Sequence, residues 1–284
     1  HDRVGVALQV FGHRGACGYL PENTMESFEH AFELGAAAIE FDVVMTQDGV
    51  PVIRHDRDLT HTTDIQKHSF LSNMVDELKA EDVAQLRAIE RYPDGRQESA
   101  SHDGKYHIPT LREVVNHPGF DGRHLIIELK YGKHFFDAGL DSVEALKQIL
   151  EEADLEQRGV RVTIECFEFG VLRRAKEAIG SRAQYVFLSA PDMLPEGFSE
   201  LEDELLEEIA ENFDGVSVAI PMVLQGDLVA RAKSKGLYIF TYTARTETAE
   251  GQWRAWFERL IATGVDGIFT DQPDLLAEVV AALP

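Results

Sequence analysis

Short apolar runs recur along the chain, each followed by a stretch in which apolar residues return every three or four positions. Read as strands, the runs cover residues 6–11, 38–44, 125–129, 160–164, 184–188, 215–219, 237–242 and 267–270. The stretches with helical period predict helices such as those over 24–34, 138–153, 170–179, 200–212, 224–235, 252–262 and 273–282, several of them closed by Gly35, Gly180, Gly236 or Gly264. Eight strand-helix units in 284 residues predict an α/β fold, a (β/α)8 TIM barrel rather than an open doubly wound sheet. The whole chain, 1–284, reads as one such domain.

The rhythm breaks once. After the second strand and "GVPVIRHD", residues 57–107 are rich in charge, His, Ser and Gly before "IPTLREVV" restores the pattern. This segment predicts a small inserted subdomain on a βα loop, the side of such barrels that carries catalysis. Its inner part, "YPDGRQESASHDGKYH", predicts turns and a hairpin rather than core.

Charge narrows the function. Lys and Arg number 27 against 50 Asp and Glu, a formal charge of -23, which argues against a nucleic-acid partner. A phosphate substrate would need local cations or a metal against that background. No apolar run is long enough to span a membrane, so stable membrane insertion is not expected. Cys17 and Cys166 match no disulfide framework and no zinc spacing. The opening His1-Asp2-Arg3, without Met or a leader pattern, reads as a truncated or processed start. It leaves the compartment open, and oligomeric state is open as well.

Chemistry gathers where strands end. Glu40 and Asp42 are two apart on the second strand and share a face, while Ile39 and Phe41 face the other way. Two carboxylates on one side of a buried strand repel each other unless a cation lies between them, and a hard divalent ion suits oxygen ligands. The competing reading is one exposed carboxylate and one salt-bridged. Glu128 and Lys130 repeat the spacing on the third predicted strand, either as a metal ligand beside an anion-binding cation or as a mutually neutralising pair. Of eleven histidines, His13 and His55 stand at strand ends near these carboxylates, where an imidazole suits proton transfer. Nearly all of the others read as solvated.

Six ordered motifs, "GHRG", "PENT", "IEFDVVMTQDGVPVIRHD", "IPTL", "IIELK" and "GIFTDQPD", span residues 11–274. In them the chain resembles the glycerophosphodiester phosphodiesterases. The resemblance implies a TIM barrel with a small insertion and one divalent metal ion, Mg2+ or Ca2+. It also implies hydrolysis of a small glycerophosphodiester to sn-glycerol 3-phosphate and an alcohol. Residue by residue, it implies His13 and His55 as the acid/base pair, and Glu40, Asp42 and Glu128 as metal ligands. Arg14 and Lys130 become phosphate contacts, with Glu22 and Asn23 near the site. The sequence departs from the family pattern at Glu165-Cys166-Phe167, where Gln-Ser-Phe is common, and at Tyr242-Thr243-Ala244-Arg245. Glu165 then faces the metal shell or the glycerol hydroxyls, and Tyr242 offers glycerol an aromatic face. The alternatives are a lipid-active phosphodiesterase of the same barrel, of sphingomyelinase D or phospholipase C type, and a catalytically silent barrel that binds metal and phosphate.

Overall fold

Eight parallel strands close into a barrel in which the first pairs with both the second and the last. The computed structural model describes residues 7–194 and 200–284; Val6, at the start of the first predicted strand, lies outside them. Around the barrel run β1 (Gln9–Gly12), β2 (Ala38–Met45), β4 (His124–Leu129), β5 (Arg161–Cys166), β6 (Gln184–Ser189), β7 (Gly215–Ala219), β8 (Tyr238–Ala244) and β9 (Gly267–Thr270). A short β3 (Pro51–Ile53) turns back antiparallel on the end of β2.

The main helices are α1 (Met25–Glu33), α2 (Leu111–Val115), α3 (Gly132–Asp137), α4 (Ser142–Glu152), α5 (Phe169–Ile179), α6 (Asp203–Asn212), α7 (Leu228–Ser234), α8 (Trp253–Ile261) and α9 (Pro273–Ala282). Two differ from the periodicity for local reasons. Asp141 accepts from the Val143 and Glu144 amides, so α4 begins four residues later than its apolar spacing suggests, and α3 is separate. Gly226, at φ +77°, interrupts the expected 224–235 helix ahead of α7.

Alternation along the strands divides the core. Ile39, Phe41, Ile127, Ile164, Val216, Ile239 and Ile268 point outward beneath the helices. Phe11, Ala38, Ile126, Val186, Phe240 and Phe269 fill the barrel itself. The Phe11 ring lies 5.0 Å from Phe240 and 4.9 Å from Phe269, an aromatic floor. Two residues further along the same strands, on the same face, come His13, Glu40, Glu128 and Tyr242.

The 57–107 segment has its own apolar centre. Leu59, Ile65, Val75, Leu78, Val83, Leu86 and Ala88 pack on Val44, Met45 and Val52 of β2 and β3. Each fully buried aliphatic side chain contributes about 1.5–3 kcal/mol, enough to hold the segment on the barrel mouth. Its inner part forms no hairpin. Turns and a four-residue helix, Gln97–Ala100, take that place, because the stretch has no alternating apolar residues and satisfies itself with side chains. Ser99 Oγ donates to Glu90 Oε1 (2.5 Å), and Asp103 accepts from the Glu90 amide (2.7 Å).

Candidate active site

A cavity of about 330 Å3 opens at the carboxyl ends of the strands, above the aromatic floor. His13, Arg14, Glu40, Asp42, His55, Glu128, Lys130, Glu165 and Tyr242 all line it, so every site residue expected from the sequence comes to one place.

The turn after β1 is shaped to deliver two of them. His13 continues the strand, its amide donating to Thr270 O (2.9 Å). Arg14 then takes a left-handed conformation (φ +52°), which aims its amide at Glu40 Oε1 (2.9 Å). Gly15 follows at φ +87°, where a Cβ would run into the backbone and hydroxyl of Ser27. Thr24 caps α1 by accepting from the Ser27 amide. Asn23, one residue earlier, donates from Nδ2 to Asp42 Oδ2 (3.0 Å).

Both histidines are fixed at the same ring atom. His13 Nδ1 lies 2.7 Å from Asp271 Oδ1, and His55 Nδ1 lies 2.7 Å from Asp56 Oδ1. In each case Nε2 is left for the cavity, and the carboxylate selects the tautomer. Burial pushes the His13 pKa below its usual value, more than Asp271 raises it, and Arg14 pushes the same way. Burial works to raise Asp271, yet the charge and hydrogen bond of His13 together with Arg245 and Arg96 hold it well below the carboxylate range.

Glu40, Asp42 and Glu128 are buried, with ligand oxygens all within 4.8 Å of one another. Register explains the grouping: Asp42 pairs with Glu128, and Glu128 with Glu165, across three neighbouring strands. Among the described residues, Asp42 Oδ1, Glu128 Oε2 and Glu165 Oε2 are buried without a hydrogen-bond partner. Lys130 Nζ lies 3.2 Å from Glu128 Oε2 without hydrogen-bond geometry, so the two meet as a charge contact only. Burial, reinforced by Asp42 and Glu128, raises the Glu40 pKa well above its usual value; burial raises Glu128 to about 7 against the pull of Lys130. Asp42 stays low because His55, Arg14 and Lys130 outweigh its burial. Clustered, orphaned, oxygen-only donors fit a hard divalent cation. His13, Cys17 and Asp271 also approach one another, but Arg96 and Arg245 both sit on Asp271 Oδ2 (2.7 and 2.8 Å), where a cation would have to go.

Tyr242 lines the wall with its hydroxyl donating to Ser189 O (2.8 Å). Lys130 lies 5.6 Å from the Phe167 ring centre.

A family model, the glycerophosphoryl diester phosphodiesterase family, matches residues 13–275. The chain belongs to that family and is a phosphodiesterase. It is 29% identical over 272 residues to a glycerophosphodiester phosphodiesterase of Caldanaerobacter subterraneus, covering 95% of this chain and 97% of the relative. A solved structure from Silicibacter pomeroyi, provisionally named as a glycerophosphoryl diester phosphodiesterase, superposes with a TM-score of 0.78 at 27% identity, over 98% of this chain and 94% of that one. A phosphodiesterase from Oleispira antarctica, solved with its product sn-glycerol-3-phosphate, shares the fold at TM-score 0.74 and 20% identity, over 97% and 98%.

The sequence reading of this phosphodiesterase missed the partners of the histidines. Asp56 directly follows His55, and Asp271 sits in "GIFTDQPD" at the end of the last strand, so strand-end position was the available signal. Arg91, paired with Asp56, and Arg96, paired with Asp271, have no such signal; only the folded insertion brings them in. His124 is also an exception to the solvated histidines, buried at the other end of the barrel and 2.7 Å from Thr163 Oγ1.

Proposed function

We propose that the chain hydrolyses glycerophosphodiesters to sn-glycerol 3-phosphate and an alcohol, with His13 and His55 as its acid/base pair. The observation that carries this reading is the pair of histidines, each oriented through Nδ1 by its own carboxylate, in one cavity with a buried carboxylate cluster. The product bound to the Oleispira antarctica protein is consistent with it.

Glu40, Asp42 and Glu128 would hold one divalent ion, Mg2+ or Ca2+. Bound there, such an ion supplies positive charge against the non-bridging oxygens of the phosphodiester. Arg14 and Lys130 share that charge from the protein side. Glu165 and Tyr242 complete the wall where the glycerol sits, the carboxylate toward its hydroxyls and the ring against its carbons. One histidine Nε2 takes the proton of the attacking hydroxyl, either from water directly or from the glycerol 2-hydroxyl. The other gives its proton to the departing alkoxide as the phosphorus–oxygen bond breaks. When the glycerol 2-hydroxyl attacks, water afterwards opens the cyclic phosphate with the two histidine roles reversed. Each transfer is worth on the order of 10^2 to 10^4 in rate. Residues 57–107 act as a small subdomain over this site.

The test is release of glycerol 3-phosphate from glycerophosphocholine, glycerophosphoethanolamine and glycerophosphoinositol. EDTA-stripped protein is assayed alone and with Mg2+, Ca2+ or Mn2+, using a coupled dehydrogenase. Metal-dependent release that disappears in His13→Ala and in His55→Ala supports the reading. Folded wild-type protein inactive on all three diesters with every ion would overturn it.

A further inference from the structure

Two arginines of the inserted segment, five positions apart, each reach a carboxylate that holds one of the two histidines. Arg91 Nη2 lies 2.6 Å from Asp56 Oδ2, the carboxylate whose other oxygen holds His55. Arg96 Nη2 donates to Asp271 Oδ2 at 2.7 Å, the carboxylate whose other oxygen holds His13. The relay is therefore the same twice: arginine, carboxylate, Nδ1 of a histidine, with the free Nε2 in the cavity. Neither arginine lines that cavity.

Both guanidiniums are also tied down. Arg91 grips Glu22 through Nε (2.9 Å to Oε1) and Nη2 (3.2 Å to Oε2). Arg96 bonds Glu247 Oε2 (2.8 Å) and the Cys17 carbonyl (3.0 Å). The short helix Gln97–Ala100 starts directly after Arg96, and Ser99 and Glu90 join the two ends of the stretch between them. The strap that carries both arginines is thus braced internally. A planar guanidinium forked between two acceptors holds them at fixed angles, which an ammonium does not do.

We propose that Arg91 and Arg96 are positioning residues, through which the inserted segment sets the orientation and basicity of the two histidines separately, Arg91 through Asp56 and Arg96 through Asp271. The proposal rests on the acid/base reading of His13 and His55. The charged and titratable groups facing His13 include Asp271, Arg14, Arg245 and Cys17, and those facing His55 include Asp56 and Asp42. Removing Arg91 leaves the Asp56 charge less compensated, and so makes His55 more basic. Removing Arg96 does the same to His13 through Asp271, with Arg245 still in place.

The division of labour makes the test specific. A more basic general base moves the acidic limb of the pH–rate profile to higher pH; a more basic general acid moves the alkaline limb to higher pH. Steady-state kinetics of Arg91→Met, Arg96→Met and the two Arg→Lys variants are measured across pH with glycerophosphocholine or whichever of the three diesters the wild type cleaves. Circular dichroism and thermal melting establish that each variant is folded. The expected result is a fall in kcat of about 10- to 100-fold with KM changed less than about threefold, and partial recovery in the Lys variants. One Met variant displaces the acidic limb and the other the alkaline limb, which also assigns base and acid. Folded Met variants with both limbs in place, or both displacing the same limb, overturn the proposal. If His13→Ala and His55→Ala themselves retain turnover, the acid/base reading fails, and the proposal fails with it.

Discussion

Glu128 on β4 stands directly opposite Glu165 on β5, two buried carboxylates side by side in the barrel wall. Burial together with the charges of Glu128 and Asp42 raises the Glu165 pKa well above its usual value, and its Oε2 has no partner among the described residues. Metal-free protein therefore carries a destabilising contact here. Glu165→Gln keeps the shape and removes the charge, so the EDTA-treated variant should melt higher than wild type. A gain of about 1–2 kcal/mol corresponds to a rise of about 2–8 °C for a chain of this size. The same variant should gain less from added Mg2+ or Ca2+, because less negative charge faces the ion. A melting temperature in EDTA equal to or below wild type would sink this account.

A pH dependence follows from Glu128, whose pKa is raised from 4.5 to about 7 by burial. Between those values the folded chain holds a proton that the unfolded chain has released, so metal-free stability falls as pH rises through the window. Glu22, held at about 2 by Arg14 and Arg91 despite its burial, loses its contribution only at lower pH. His13, whose pKa is lowered by burial, gives the opposite slope in both metal-free and metal-loaded protein. The comparison of the two forms isolates the carboxylates. Differential scanning calorimetry should show the stabilisation by saturating Mg2+ or Ca2+ growing from pH 5 to pH 8. An increment that is flat over that range excludes a metal held by these groups.

The barrel was legible because inward and outward positions alternate cleanly, as at Ile39, Glu40, Phe41 and Asp42, and because glycines punctuate the helices. Strand ends likewise located His13, His55 and the carboxylates. The insertion was less legible. Its apolar residues, from Leu59 to Ala88, follow neither a period of two nor one of 3.6, since short turns rather than regular elements present them to β2 and β3. Arg91 and Arg96 were invisible for a related reason: an arginine in a polar loop reads as solvated until the fold places an acidic partner against it. The hairpin expected around residues 92–107 does not form because its Asp-Gly turns have no alternating apolar strands on either side.

Gly15 and Gly49 offer a controlled comparison. Both have positive φ, +87° and +81°, but a Cβ at Gly49 meets nothing within 4 Å, whereas at Gly15 it meets Ser27. Gly49→Ala should cost only the left-handed backbone penalty, about 1–2 kcal/mol. Gly15→Ala adds the clash and should exceed it by at least about 1–2 kcal/mol. It should also lower activity strongly, since it displaces the turn that carries His13 and Arg14. Urea denaturation of both variants checks the order; equal midpoints would mean that the Ser27 contact relaxes freely.

Among the described residues Arg54 is the largest fully buried side chain, and its guanidinium hydrogen-bonds to backbone carbonyls. Nη2 donates to Glu22 O (2.6 Å) and Asn23 O (2.8 Å), Nη1 to Thr62 O (2.9 Å) and Nε to Ile53 O (2.7 Å). Burial and the neighbouring Arg91 lower its pKa to about 10 against the pull of Glu22, leaving it charged at neutral pH. These bonds join the "PENT" turn, the start of the insertion and the strand that presents His55. A lysine has the charge but not the fork, and leaves at least one of these carbonyls buried and unpaired. Arg54→Lys should therefore lose about 2–4 kcal/mol in urea denaturation despite conserving charge. Its kcat should fall more than its stability alone predicts, because His55 is the next residue. A variant within about 0.5 kcal/mol of wild type would mean that water replaces the guanidinium bonds, and that the turn is held by its own left-handed Asn23 instead.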